Sequence, residues 1–196
     1  MNPIDEYGKQ MQLVCPAIQD EHLTAFKARL LIKTFRKKEL IFKLGDLHKH
    51  VVYLSSGLVR TYYLNPLGEE KSAWFIRENE FVTDYPCFLT GVRSNYIFQC
   101  LEPTTAVFLP QTAMYEAYET FPSIQKYGRL VAEEILKIQQ ARIESFQFKS
   151  AKQRYLQVLE TEPYLIQRVS LSHLASYLGM KRQSLTRIRK ELQIKK

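Results

Sequence analysis

The stretch Leu171–Lys190, LSHLASYLGMKRQSLTRIRK, constrains the fold of this chain more than any other. It reads as two short helices joined by a tight turn. Leu174, Leu178, Met180, Leu185 and Ile188 recur at a spacing that sets one face of each helix against the other. Ala175 lies where two such helices cross, and its small side chain permits close approach. Gly179 lies at the turn, where a positive φ costs glycine no steric penalty. Ser170 is placed to cap the first helix, although His173 stands where Glu or Gln would complete a capping box. The pattern predicts a helix-turn-helix whose second helix exposes Lys181, Arg182, Gln183, Thr186, Arg187 and Lys190. A major groove accepts such a helix: Arg pairs bidentately with guanine and Gln with adenine, while Ser184 or Thr186 suits a phosphate. With Ser170, these residues form the candidate DNA-binding set. A structural helical hairpin with chance basic residues is the alternative.

The charge distribution agrees with a polyanion partner. The chain carries +8 overall. From Arg168 onward the basic residues are Arg168, Lys181, Arg182, Arg187, Arg189, Lys190, Lys195 and Lys196, against Glu191 alone, a net +7. The first 167 residues therefore hold only +1. A solvated basic tail would show the same balance.

Upstream, residues 1–35 read as helical, with Leu23, Phe26, Leu30 and Leu31 at helical spacing and breaks at Pro16 and Asp20. From about Phe35 to Pro110 short β-rich runs alternate with turns, as in Val51–Leu54, Leu58–Leu64, Lys71–Ile76, Tyr96–Leu101 and Thr105–Leu109. Strands at this spacing predict an antiparallel barrel or sandwich. From Gln111 the chain turns helical. Pro122 and Ser123 suit a helix start, and Ile124 to Phe148 holds no proline and one glycine. Along this run Ile124, Tyr127, Val131, Ile135 and Ile138 step by three or four. The stripe suits either core packing or a seam with a second copy. A shorter helix, Ala151–Glu160, ends before Pro163.

Taken in order, these segments resemble the Crp/Fnr family of bacterial transcription regulators over essentially the whole chain. Tyr53-Leu54-Ser55-Ser56-Gly57-Leu58-Val59-Arg60 is similar to the family's strand–glycine–strand signature, and Arg182, Gln183 and Arg187 fall on its base-contacting positions. Gln183 replaces a common Glu, which shifts the expected preference from cytosine toward adenine. The resemblance implies an α+β chain in three parts. Residues 1–120 would form an antiparallel, cyclic-nucleotide-binding-like β-roll (a double-stranded β-helix) with flanking helices, acting as sensor. Residues 121–148 would form a long dimerisation helix, and residues 149–196 an all-α helix-turn-helix domain. Implied partners are double-stranded DNA, a second copy of the chain, and RNA polymerase.

The resemblance weakens at the effector cassette. The family's Gly-Glu pair becomes Thr83-Asp84, followed by Tyr85 and Pro86. Arg93-Ser94 preserves the phosphate-binding pair, but about one residue too early. Losing the glycine hinders close approach of backbone amides, and proline removes one of them. Thr83, Asp84, Tyr85, Arg93 and Ser94 are thus candidates for an empty or repurposed pocket walled by aromatics such as Tyr85, Phe88 and Tyr96. No cofactor is expected, a cyclic nucleotide being disfavoured. Cys15 alone cannot hold an iron–sulfur cluster, and His22, His48 and His50 offer no convincing haem pair. Cys15, Cys87 and Cys100 read as reduced, partly buried thiols.

Enzymatic readings find little support. His48-Lys49-His50 could share a metal across a strand, but Val51–Gly57 supplies no carboxylate, and a surface loop is the expectation. No nucleophile elbow, P-loop or zincin motif occurs. Met1–Tyr7 has no signal-peptide character, and no run approaches the roughly 18 apolar residues of a membrane span, so a cytoplasmic protein without membrane contact is expected. The competing function is a ligand-sensing β-roll that signals through a protein partner. The sequence stops shortly after the second helix of the motif, leaving little room for the β-wing of many relatives. Some backbone contacts with DNA, and hence affinity, are expected to be lost.

Overall fold

A computed structural model describes residues 2–193. Lys195 and Lys196, counted above in the basic tail, lie outside the described residues. In chain order the elements are α1 (Pro3–Val14), α2 (Asp20–Lys27), β1 (Leu31–Phe35), β2 (Leu40–Phe42), β3 (His50–Ser56), β4 (Val59–Leu64), β5 (Glu70–Ile76), α3 (Tyr85–Thr90), β6 (Ile97–Cys100), β7 (Thr104–Pro110), α4 (Gln111–Thr120), α5 (Pro122–Phe148), α6 (Ala151–Thr161), α7 (Tyr164–Arg168), α8 (Leu171–Tyr177) and α9 (Arg182–Gln193). The architecture is α+β. Two antiparallel sheets have strand orders β1-β7-β3 and β2-β6-β4-β5. Contacts divide the chain into two compact units, residues 1–61 with 76–135, and residues 62–75 with 136 onward. Among the described residues no helix is long and apolar enough to cross a membrane.

In the first unit β7 is the central strand. It pairs with β3 in the register Val52↔Phe108 and Tyr53↔Val107, and with β1 in the register Ile32↔Val107. Alternate side chains of a strand share a face, and Val51, Tyr53, Val107 and Leu109 turn theirs into the core. There they meet Tyr7 and Met11 of α1, Leu23 and Phe26 of α2, Phe88 of α3, and Ile124 and Tyr127 of α5. Gly57 joins β3 to β4 at φ 102°, and a Cβ there would lie 2.5 Å from Thr104 Oγ1 and 2.8 Å from the Pro103 carbonyl oxygen. Only glycine meets both demands.

The expected helix over residues 1–35 stops at Lys27. Leu31–Phe35 forms β1 on the sheet edge, and Leu31 and Ile32 are exposed rather than buried on a helical face. The backbone ladder to β7 outweighs a local periodicity that suited either element. The long helix α5 runs as expected, opening on Pro122 and free of proline thereafter.

Candidate nucleic-acid interface and effector site

The second unit builds the helix-turn-helix from local signals. The Ser170 hydroxyl accepts the His173 N–H at 3.2 Å and caps α8. Gly179 takes φ 66°, and the Met180 N–H donates to the Ala175 carbonyl at 3.0 Å. Leu174, Ala175, Leu178, Leu185 and Ile188 are buried, whereas Met180 is half-buried. These contacts turn the opposite face of α9 outward. Arg182, Gln183, Thr186, Arg187 and Lys190 are all exposed on it, Lys181 is exposed just before the helix, and Ser184 is half-buried. The Arg187 side chain is 79% exposed, with Glu191 at 4.0 Å. Glu191 is held closer by Lys152, at 3.1 Å. The Thr186 hydroxyl donates to the Arg182 carbonyl at 3.1 Å, so part of its hydrogen-bonding capacity serves its own helix.

Four residues in and around this motif, Arg142, Trp74, Arg154 and Tyr177, escaped the sequence reading. Arg142 of α5 donates to the carbonyl of Tyr177 at 3.0 Å, and its guanidinium lies 3.9 Å from the Tyr177 ring centre and 4.8 Å from that of Trp74. Arg154 of α6 donates to the carbonyl of Leu178 at 3.0 Å. One signal was available: Arg142 continues the stripe of Ile124, Val131, Ile135 and Ile138, a cation on an otherwise apolar face.

The stripe on α5 divides along its length. Ile124 and Tyr127 are buried in the first unit, Val131 and Ile135 are half-buried, and Ile138 is 50% exposed. Leu136 and Ile143, seven residues apart and off the stripe, are 66% and 52% exposed. With Ala132 and Gln139 they follow steps of four and three.

The candidate effector residues all lie in the first unit, and each is engaged within the protein, Asp84 and Ser94 with one another and Thr83, Tyr85 and Arg93 with other residues. Asp84 caps α3, accepting the Cys87 N–H at 3.4 Å through one oxygen and the Ser94 hydroxyl at 2.7 Å through the other. Ser94 is buried. The exposed Arg93 donates to the Gly45 carbonyl at 2.8 Å. Thr83 Oγ1 accepts the Val52 N–H at 3.2 Å and donates to its neighbour's carbonyl at 2.6 Å. Tyr85 stacks on the buried Phe88 at 5.9 Å, and burial raises its phenol above the ordinary value.

His48 departs from the expected surface loop. It is only 3% exposed, lies against the ring of Phe42 at 3.8 Å, and accepts the Asp84 N–H on Nδ1 at 3.1 Å. Nε2 therefore carries the proton, and among the described residues it has no hydrogen-bond partner. Burial holds the ring below its ordinary pKa. The aromatic pair Phe42 and Phe98 supplies an apolar slot that overrides the polar character of the local sequence. Cys15, Cys87 and Cys100 are free and buried.

Comparison with known proteins places this geometry. Residues 32–121 match the cyclic nucleotide-binding domain family. No curated protein matches the sequence. The fold is similar to that of FixK2 from Bradyrhizobium japonicum, at 18% identity and a TM-score of 0.71, over 85% of each chain. It is equally similar to the c-di-GMP-responsive global regulator CLP of Xanthomonas campestris, at 18% identity and a TM-score of 0.71, over 90% of this chain and 93% of that one. A Eubacterium rectale protein assigned to the Crp/Fnr family of transcriptional regulators follows at 16% identity and a TM-score of 0.69, over 92% of this chain and 86% of that one. Residues 32–121 thus match the cyclic nucleotide-binding domain family, and the chain has the fold of the Crp/Fnr transcription regulators.

Proposed function

We propose that the chain is a cytoplasmic, homodimeric transcription regulator that reads an inverted-repeat operator with α9. The observation that carries this reading is the division of α9: Leu185 and Ile188 are buried against the motif, while Arg182, Gln183, Arg187 and Lys190 are presented together on the outer face. Arg182, Gln183 and Arg187 are assigned to base edges, and Lys181, Ser184, Thr186 and Lys190 to phosphate or groove walls. Ser170 acts as the helix cap and touches DNA only through its end of α8. Two copies related by a two-fold axis would set half-sites about one helical turn apart, roughly 34–36 Å. The exposed pair Leu136 and Ile143 on α5 supports a parallel seam between the copies. RNA polymerase is the further partner that the resemblance implies.

The β-roll serves as a sensor whose ligand is not a cyclic mononucleotide such as cyclic AMP or cyclic GMP. The Asp84–Ser94 hydrogen bond and the Arg93–Gly45 hydrogen bond support this, since both occupy groups that a ribose and phosphate would need. CLP, of the same fold, responds to c-di-GMP, so the fold accommodates other effectors.

In-vitro selection from a random duplex library at moderate salt, without added ligand, tests the proposal. Enrichment of a palindrome is the expected result. Failure to enrich any sequence, with or without added cyclic nucleotides, would shift the reading to a sensor that signals through a protein partner.

A further inference from the structure

Helix α8 ends at Tyr177, and the chain must then turn sharply through Leu178 and Gly179 to start α9. Two arginines from outside the motif hold this corner. Arg142 of α5 donates to the Tyr177 carbonyl at 3.0 Å, and Arg154 of α6 donates to the Leu178 carbonyl at 3.0 Å. Both carbonyls lie at the end of α8, where the last turn leaves acceptors without helical partners. Phe146 of α5 closes the corner from the side: a Cβ on Gly179 would lie 2.7 Å from its ring.

Arg142 is also the point where three segments meet. Its guanidinium lies 3.9 Å from the ring centre of Tyr177, 4.8 Å from that of Trp74 on β5, and 5.0 Å from that of Phe146. The β4–β5 hairpin is tied to α8 at two further places. The Ser72 N–H donates to the Ser176 hydroxyl at 2.9 Å, and Phe75 meets Tyr177 edge-on at 5.1 Å. A planar cation can stack on several rings while donating in its plane, which an ammonium cannot do. Burial lowers the pKa of this guanidinium, with Tyr177 and Glu162 opposing the shift. Its position is costly unless the stack and the hydrogen bond are both made.

We propose that Arg142 is a positioning residue for DNA recognition: it does not read DNA but locks the Tyr177–Gly179 corner, and with it the direction of α9, to the long helix and the β4–β5 hairpin. The inference rests on the DNA-reading role proposed for α9. Base contacts demand the direction of the helix, whereas phosphate attraction demands only its charge. Loss of Arg142 should therefore damage specific binding far more than non-specific binding.

The test uses the full chain as wild type, Arg142→Met, Arg142→Lys and Trp74→Leu. Hydrogen exchange of the free protein is read first. In Arg142→Met, exchange should rise about tenfold or more across residues 177–182, with α6 unchanged. Affinity for the selected duplex should then fall roughly tenfold, while affinity for a scrambled duplex stays within about twofold. Lysine should not rescue either readout, and Trp74→Leu should reproduce the pattern more weakly. Unchanged exchange at the corner, full rescue by lysine, or equal loss on both duplexes would overturn the proposal. If wild type selects no duplex, the functional reading fails, and the exchange data alone decide whether Arg142 holds the corner. If Arg142→Met does not fold, Trp74→Leu carries both measurements.

Discussion

The carboxylate of Asp84 accepts the Ser94 hydroxyl at 2.7 Å, ten residues along the chain and inside the β-roll. In the cassette that this stretch resembles, groups at these positions meet a ribose and a phosphate. Here each meets the other, and a cyclic nucleotide would have to break a charge-assisted hydrogen bond to enter. Cyclic AMP or cyclic GMP at about millimolar concentration should leave the thermal midpoint unchanged, since binding to the folded state alone would raise it. Asp84→Ala should cost about 1–3 kcal/mol by urea unfolding, because it removes both the α3 cap and the partner of a buried hydroxyl. A clear upward shift of the midpoint with either nucleotide would contradict the first expectation.

His48 supplies a pH dependence with a defined sign. Burial holds its imidazole below the ordinary value, against Asp84 and Asp46, and His50 shifts the same way through burial and Lys33. Well above the histidine range both rings are neutral, folded or unfolded, and they contribute no slope. As pH falls through about 6.5, the unfolded chain takes up protons that the fold resists, so stability is lost. Unfolding free energies of wild type should decline from about pH 7 to pH 5, and His48→Gln should decline less. Equal slopes for the two proteins would show that His48 does not titrate on unfolding.

Leu136 and Ile124 lie on the same helix and should respond differently to substitution. Leu136 is 66% exposed and Ile124 is buried. Leu136→Glu should leave the circular dichroism spectrum intact and shift sedimentation toward monomer, with weaker operator binding as a consequence. Ile124→Ala should instead destabilise the first unit by about 2–5 kcal/mol through a core cavity. A Leu136→Glu protein that remains fully dimeric would place the seam elsewhere.

Arg182 and Arg187 stand exposed on the face of α9 assigned to the groove. Replacing either by alanine should cost about 1–3 kcal/mol on the selected operator and relax the preference at one base pair. Binding titrations on single-position operator variants separate the outcomes. Uniform weakening on every variant would assign the side chain to phosphate.

The helix-turn-helix was legible in the sequence because its determinants are local. Ser170 caps within three residues, Gly179 needs its own φ, and the Leu174–Ile188 pattern reflects helical periodicity alone. The same holds for the proline-free run of α5 and the turn at Gly57. What the sequence left open depends on partners brought from far along the chain. Leu31–Phe35 carries apolar residues that suit either element, and became a strand because β7 offered a ladder. His48 looked like a loop residue until Phe42 and Phe98 closed around it. Arg142 interrupts an apolar stripe for a reason that resides in Trp74 and Tyr177. Periodicity states which face of an element is apolar. Only packing decides what that face meets, because burial and hydrogen-bond satisfaction are properties of neighbours in space.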